Sequence, residues 1–281
     1  MKKTKKEFKI TKLVLPVAGL GTRFLPQTKY LAKEMFPVLN TPIMHYLVNE
    51  AIESGIKEII VVLSRRKNSI VEYFSNNYNA WKGIKIHLVY QENQEGLGHA
   101  ILCAEDYCKN EPFAILLGDD IFFPRKGQVT PLKQCMDIFH KYKSPVVGVQ
   151  EVPDSDVPKY GILGINRKLS KNTILVKNLI EKPKLGKNPS NYAILGRYIL
   201  TPDIFREIKR TKKDKSNEIQ LTDAIQKLIR KTKVYGCIFT GDRFDTGNVL
   251  GYVKALTYAA AKSNQINSEY IDCVYKLFNL Q

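Results

Sequence analysis

Short apolar runs alternate with segments whose apolar residues recur every three or four positions, and this alternation constrains the fold most. Strand-like runs cover Leu13–Val17, Glu58–Leu63, Ile84–Tyr90, Phe113–Leu117 and Pro145–Gln150. Helical spacing lies between them, over Ile43–Glu53 (opened by Thr41 and Pro42), Asn68–Phe74, Leu97–Tyr107 and Leu132–Tyr142. Strand alternating with helix predicts an α/β fold, with a mostly parallel sheet and helices on both faces. The second half is less regular. Strands are expected at Ile162–Ile165, Ile174–Glu181 and Tyr192–Leu200, then helices at Pro202–Lys209 and Glu218–Arg230, a strand at Val234–Thr240 and a helix at Val249–Lys262. No internal repeat or low-complexity linker interrupts the chain, so one domain over residues 10–265, elaborated in its second half, is the simplest arrangement.

Two flanks stand outside that pattern. Residues 1–9 read as a solvated basic tail rather than the start of a signal peptide, because the apolar run that follows is short and has no A-x-A cleavage site. Residues 266–281, "NSEYIDCVYKLFNLQ" with its preceding residue, are apolar every three or four positions. They predict a helical tail that docks on a partner subunit, making a homo-oligomer, or on its own domain.

The formal charge of +17 suits nucleic acid, an anionic membrane or a phosphate-rich substrate. Lys outnumbers Arg more than three to one, and the dense runs "KKTKK" and Lys209–Lys215 lack interleaved aromatics. Solvated surface Lys is the reading, with no nucleic-acid partner. No apolar run approaches the ~18–20 residues of a membrane span, so no membrane partner is expected. The five cysteines, Cys103, Cys108, Cys135, Cys237 and Cys273, have neither paired C-x-x-C spacing nor an even count. They read as small core residues in a reducing, cytoplasmic setting.

The first strand runs straight into "AGLGTRFLPQTKYLAKEMFPV". In parallel α/β sheets, ligands bind outside the carboxyl ends of the strands. Gly19 and Gly21 let the backbone approach a ligand, and their N–H groups, with those of Leu20 and Thr22, are able to ring an anion. Arg23, Lys29 and Lys33 add fixed positive charge, and the set suits a triphosphate. Two familiar glycine loops fit badly. The dinucleotide fingerprint needs a third glycine where Phe24 stands, and a Walker loop needs G-K-[ST] opening a helix where Pro26 follows.

The whole stretch "PVAGLGTRFLPQTKYLAKEMFPVLNTP" resembles the start of the sugar-1-phosphate nucleotidyltransferases, most closely the bacterial UTP–glucose-1-phosphate uridylyltransferases. Further matches follow in the family's order: "KNSI", "QEGLGHA", "LLGDD", "YGIL", "EKP", "NYAILGRY", "EIQLTDAI" and "FDTGN". The likeness runs from about Leu13 to Lys262. It implies a three-layer α/β/α nucleotidyltransferase fold, with UTP and glucose 1-phosphate as substrates and Mg²⁺ as cofactor. The sister thymidylyltransferases, which use dTTP, stay open on residue types alone. A nucleic-acid-binding or regulatory protein on the same fold predicts loss of site residues that this chain keeps.

In that reaction a phosphate oxygen of the sugar 1-phosphate attacks the α-phosphorus of the nucleoside triphosphate and pyrophosphate departs. The nucleophile is already an anion, so no general base is needed, and the obstacles are repulsion between polyanions and charge on the leaving group. By resemblance, Arg23 and Lys33 grip the triphosphate, and Ala18, Gly19, Gly21, Gln91 and Gly96 hold the nucleotide, with Gln91 reading the base. Asp119 and Asp245 are the implied metal ligands, Asp120 being the alternate. Glu181 takes the sugar and Lys182 the sugar phosphate and α-phosphoryl, with Gly161 and Gly196 lining the sugar side. His99 is given no catalytic role. Only a short segment separates Phe74 from Gln91, where such enzymes often carry a longer insertion; this puts in doubt any lid or subunit contact made by that insertion.

Overall fold

Leu13, Val14 and Leu15 are wholly buried, as a strand covered on both faces requires. The computed structural model describes residues 9–76, 81–123, 125 and 127–278. Along the chain, β1 (Lys12–Pro16) leads into three short 3₁₀ turns, Thr22–Phe24, Gln27–Lys29 and Lys33–Met35. A small ribbon of β2 (Pro37–Val38) and β3 (Thr41–Pro42) follows, then α1 (Ile43–Glu53), β4 (Glu58–Leu63), α2 (Asn68–Asn76) and β5 (Lys85–Tyr90). Next come α3 (Gly96–Leu102), α4 (Glu105–Cys108), β6 (Phe113–Leu116), β7 (Asp120–Phe123), α5 (Pro131–Tyr142) and β8 (Val146–Glu151).

The second half continues with β9 (Gly161–Ser170), β10 (Thr173–Glu181), β11 (Tyr192–Leu200), α6 (Asp203–Lys209) and α7 (Leu221–Ile229). It closes with β12 (Tyr235–Ile238), β13 (Asp242–Asp245), α8 (Val249–Lys262) and α9 (Asn267–Phe278).

Among the described residues, nine strands form one sheet in the order β5-β4-β1-β6-β11-β8-β12-β10-β9. The strands β5, β4, β1 and β6 run parallel, while β11 is antiparallel to both β6 and β8 and β10 is antiparallel to both β12 and β9. The sheet is therefore mixed but mostly of one direction. Successive β1 side chains enter opposite layers, as the two-residue period of a strand demands. Leu13 and Leu15 join the core under α1, α2, α5 and α8, which holds Leu47, Phe74, Phe139 and Ala259. Val14 joins the core under α3, α6 and α7, with Ile101, Phe205 and Leu228. These are the three layers expected from the sequence.

Three details differ from the sequence reading. The helix expected over Leu97–Tyr107 breaks, because Ala104 N donates to Ile101 O and tightens the chain between α3 and α4. The expected strand at Ile162–Ile165 extends to ten residues as β9, paired along its length with β10. The strand β7 was not anticipated. Its four residues pair antiparallel with β13 in a separate two-stranded ribbon, with Asp120 opposite Asp245.

Candidate active site

The first loop begins where Val17 N donates to Val62 O, 2.7 Å, at the end of β1. Gly21 takes φ 67°, and a Cβ there would stand 2.9 Å from Thr28 Cγ2, so only glycine fits. Thr28 Oγ1 in turn donates to Gly21 O at 2.9 Å, pinning the loop. Across the cleft, Gly96 opens α3 at φ 90°, and a Cβ there would meet Glu218 Cβ at 2.8 Å and Ile219 N at 3.0 Å. Gln91 is buried, with Nε2 donating to Gly96 O at 3.2 Å and lying 3.0 Å from His99 Nδ1. Ala18, Gly19, Gly21, Gln91 and Gly96 thus line one cleft of about 450 Å³ together with Lys33 and Asp119. A second cleft of about 490 Å³ adjoins it through Leu20, Thr22 and Lys33, and Lys29, Arg66 and Lys67 line it with no carboxylate.

The phosphate end is charged in layers. Lys33 Nζ hydrogen-bonds Asp119 Oδ2. Burial works against the lysine's charge, but Asp119 and then Glu34 outweigh it and hold its pKa above the ordinary value. The opposite balance acts on Asp119. Burial alone would raise it, yet Lys33, Arg243 and Arg23 keep the carboxyl below its usual range, so it stays an anion. Beneath them Lys67 Nζ bonds Glu34 Oε2 at 2.7 Å in a buried pair, and burial pushes Lys67 down with Lys33 repelling it further. Arg23 extends an exposed guanidinium whose Nη1 donates to Gly247 O at 3.5 Å.

The acids at the two strand ends meet. Thr246 N and Oγ1 donate to Asp119 O at 2.8 and 2.9 Å, and the β7–β13 ribbon sets that register. A Cβ on Gly247 would lie 2.6 Å from Asp119 Oδ2 and 3.0 Å from Asp245 Oδ1, so both carboxylates close on one small space. Oxygen donors on two carboxylates fit Mg²⁺, which keeps phosphate and water for its other positions. Asp120, the alternate ligand from sequence, is committed elsewhere. Arg243 grips both its oxygens, with Nη2 to Oδ2 at 3.1 Å, and Asp120 is buried.

The residues expected on the sugar side come from β9, β10 and β11. Glu181 ends β10, and Lys182 follows at φ 43°, a left-handed turn that costs a lysine strain. Lys182 Nζ lies 3.6 Å from Glu181 Oε1, and its backbone N donates to Tyr160 O at 3.1 Å. A Cβ on Gly161 would be 3.1 Å from Glu181 Oε2 and 2.8 Å from Thr222 Oγ1. Gly196 lies behind the acids, its missing Cβ leaving room for Asp120 Oδ2 at 2.6 Å. Sequence reasoning gave no part to Glu34, Lys67, Tyr160 or Arg243. Glu34, Lys67 and Tyr160 stand inside the quoted runs "AKEMF", "KNSI" and "YGIL", and Arg243 directly precedes "FDTGN", but residue type alone gave none of them a role.

A glycine loop at a strand end, cations around an open cleft and two converging carboxylates define an α/β enzyme that moves phosphate esters of nucleotide size. The family model described as nucleotidyl transferase matches residues 12–262. The chain belongs to the nucleotidyl transferase family. A UTP–glucose-1-phosphate uridylyltransferase of Staphylococcus epidermidis is 41% identical over 280 residues, covering 93% of this chain and 96% of that protein. A UDP-glucose pyrophosphorylase solved with UDP-glucose superposes with a TM-score of 0.86 at 38% identity, over 91% of this chain and 100% of the other. A UTP-bound enzyme of the same kind from Acinetobacter baumannii gives 0.86 at 33% identity, over 96% of this chain and 100% of that one.

Proposed function

We propose that this protein transfers a uridylyl group from UTP to glucose 1-phosphate, forming UDP-glucose and pyrophosphate. The observation that carries the reading is the meeting of Asp119 and Asp245 at Gly247, beside the cleft that Lys33 and Asp119 line. Gln91, buried at the cleft wall, faces the base, while the backbone at Ala18, Gly19, Gly21 and Gly96 leaves room for the nucleotide. Glu181 accepts from sugar hydroxyls, with Gly161 and Gly196 shaping that side, and Lys182 neutralises the attacking phosphate and the α-phosphoryl oxygens. Arg23 and Lys33 receive charge building on the departing pyrophosphate. Asp119 and Asp245 would hold Mg²⁺, which when bound supplies charge neutralisation on the phosphoryl oxygens.

Lys33 has a double part in this scheme. Its ammonium bonds Asp119, and the same group would serve the triphosphate, with Asp119 then available to Mg²⁺. The compartment we assign is the cytoplasm. Among the described residues no helix is long and apolar enough to cross a membrane, and the cysteines are free. We assign a homo-oligomer whose contact uses α9, where Ile271, Tyr275, Leu277 and Phe278 are exposed. Sedimentation equilibrium of the full chain and of a chain ending at Ser263 checks this; equal masses per chain would remove α9 from the contact.

Pyrophosphate release with glucose 1-phosphate tests the activity, comparing UTP with dTTP. UTP is expected to be preferred, EDTA to stop turnover, and Lys182→Ala to lower kcat by about 10²–10³ with a smaller change in KM for UTP. Preference for dTTP moves the assignment to the sister reaction. No release with either nucleotide overturns it.

A further inference from the structure

Arg243 sits at the centre of four groups that the reaction needs arranged. Its Nε and Nη2 take both oxygens of Asp120 in a two-pronged grip. Its Nη1 donates to Tyr160 OH at 3.5 Å, and its guanidinium carbon lies 5.2 Å from the Tyr160 ring centre. Tyr160 OH donates to Asp245 Oδ2 at 3.3 Å, while Gly247 N donates to Asp245 Oδ1 at 2.9 Å. The Tyr160 carbonyl accepts from Lys182 N, and Gly161 beside it packs on Glu181. The Arg243 side chain is 12% exposed and Asp120 5%, so neither is a surface pair free to swing in solvent.

We propose that Arg243 is a positioning residue that couples the metal carboxylates to the sugar-phosphate turn. Three adjacent acids, Asp119, Asp120 and Asp245, stand at the strand ends, and an unoccupied third carboxylate would compete for a cation. The forked grip takes Asp120 out of that competition. Through Tyr160 the same guanidinium aims Asp245 and fixes the backbone from which Lys182 hangs. A lysine at this place would supply the charge without the fork or the flat face that stacks on the ring.

This rests on Asp119 and Asp245 being the metal ligands, so the test separates the two ideas. Mn²⁺ affinity would be measured by electron paramagnetic resonance on enzyme with no sugar phosphate, beside glucose 1-phosphate affinity, steady-state kinetics and thermal melting. The variants are Arg243→Lys, Tyr160→Phe and Asp119→Asn. Tyr160→Phe keeps the ring and loses only the hydroxyl. We expect it to melt like the native chain, with Mn²⁺ bound about tenfold more weakly and kcat reduced by a similar factor, as loss of an outer hydrogen-bond partner does elsewhere. Arg243→Lys should keep its folding temperature near native, yet lose a further factor in Mn²⁺ affinity and raise the KM for glucose 1-phosphate. Native Mn²⁺ affinity and kinetics in both variants, with Asp119→Asn defective, would overturn the role of Arg243. Native Mn²⁺ affinity in Asp119→Asn would instead overturn the metal reading beneath it.

Discussion

Lys33 and Asp119 come from segments 86 residues apart and face each other across the cleft floor. Removing either leaves a charge without its partner, but the consequences divide by role. Lys33→Met should raise the KM for UTP about tenfold, since a phosphate contact in a partly dry site is lost. Asp119→Asn should instead lower kcat by about 10²–10³ and weaken the dependence on metal concentration. Steady-state kinetics over a Mg²⁺ series separates the two, and equal effects on KM alone would contradict the assignment of Asp119. The residues of the loop from Ala18 to Lys33, and those in "LLGDD", "EKP" and "FDTGN", were legible because each motif is contiguous and chemically unusual. The partners that aim them were not. Arg243 lies 123 residues from Asp120, and nothing in either local sequence says that they meet.

Elements matter through what they tie together. Arg197 on β11 is 0% exposed and bonds Glu50 on α1, with Nε to Oε1 at 3.1 Å. Glu50 Oε1 also accepts from Leu132 N at the start of α5, at 3.0 Å, so one carboxylate holds three elements. Among the described residues, Arg197 Nη1 is a buried donor without a partner, and its guanidinium carbon lies 4.7 Å from the Phe122 ring centre. Breaking this pair strands a buried charge. Arg197→Met should cost about 3–5 kcal/mol in urea unfolding, while Arg197→Met with Glu50→Leu should regain much of it. A small loss in the single variant would mean that water already relieves the pair. The helices and the parallel strands were readable from periodicity, because their apolar spacing reports the buried face directly. The short β7 was not, since four residues opening with an acid carry too little period, and its pairing is fixed by a ribbon partner late in the chain.

At the scale of the molecule, the charge of +17 is not spread without consequence. Among the described residues Lys29, Lys33, Arg66 and Lys67 line the second cleft, and with Lys33 and Lys67 paired to Asp119 and Glu34, Lys29 and Arg66 supply its field. Such a field draws a polyanionic nucleotide toward the site and is screened by salt. kcat/KM for UTP should fall severalfold between about 0.05 and about 0.5 M KCl, with kcat changing less. A flat salt series would detach the charge from substrate capture. Composition left phosphate as one of three partners and read the lysines as solvated surface, because lysines distant in sequence gather on one face only after folding.

The place of β11 has a consequence for how the chain is made. Among the described residues, β6 and β8 are joined in the sheet through β11, which is synthesised after both. On the ribosome, a chain that has emerged only as far as residue 191 holds the β5-β4-β1-β6 piece, the β9–β10 pair and β8 alone, with only Asp119 of the two converging carboxylates. Emergence of Tyr192–Leu200 joins β6 to β8, β12 then links β8 to β10, and Asp245 arrives later still with β13. An arrest-peptide force profile should show its main pull as β11 clears the tunnel, and enzymatic competence should come only after the last helices of the domain begin to appear. Birth order, then, leaves an unfinished copy without Asp245 beside Asp119.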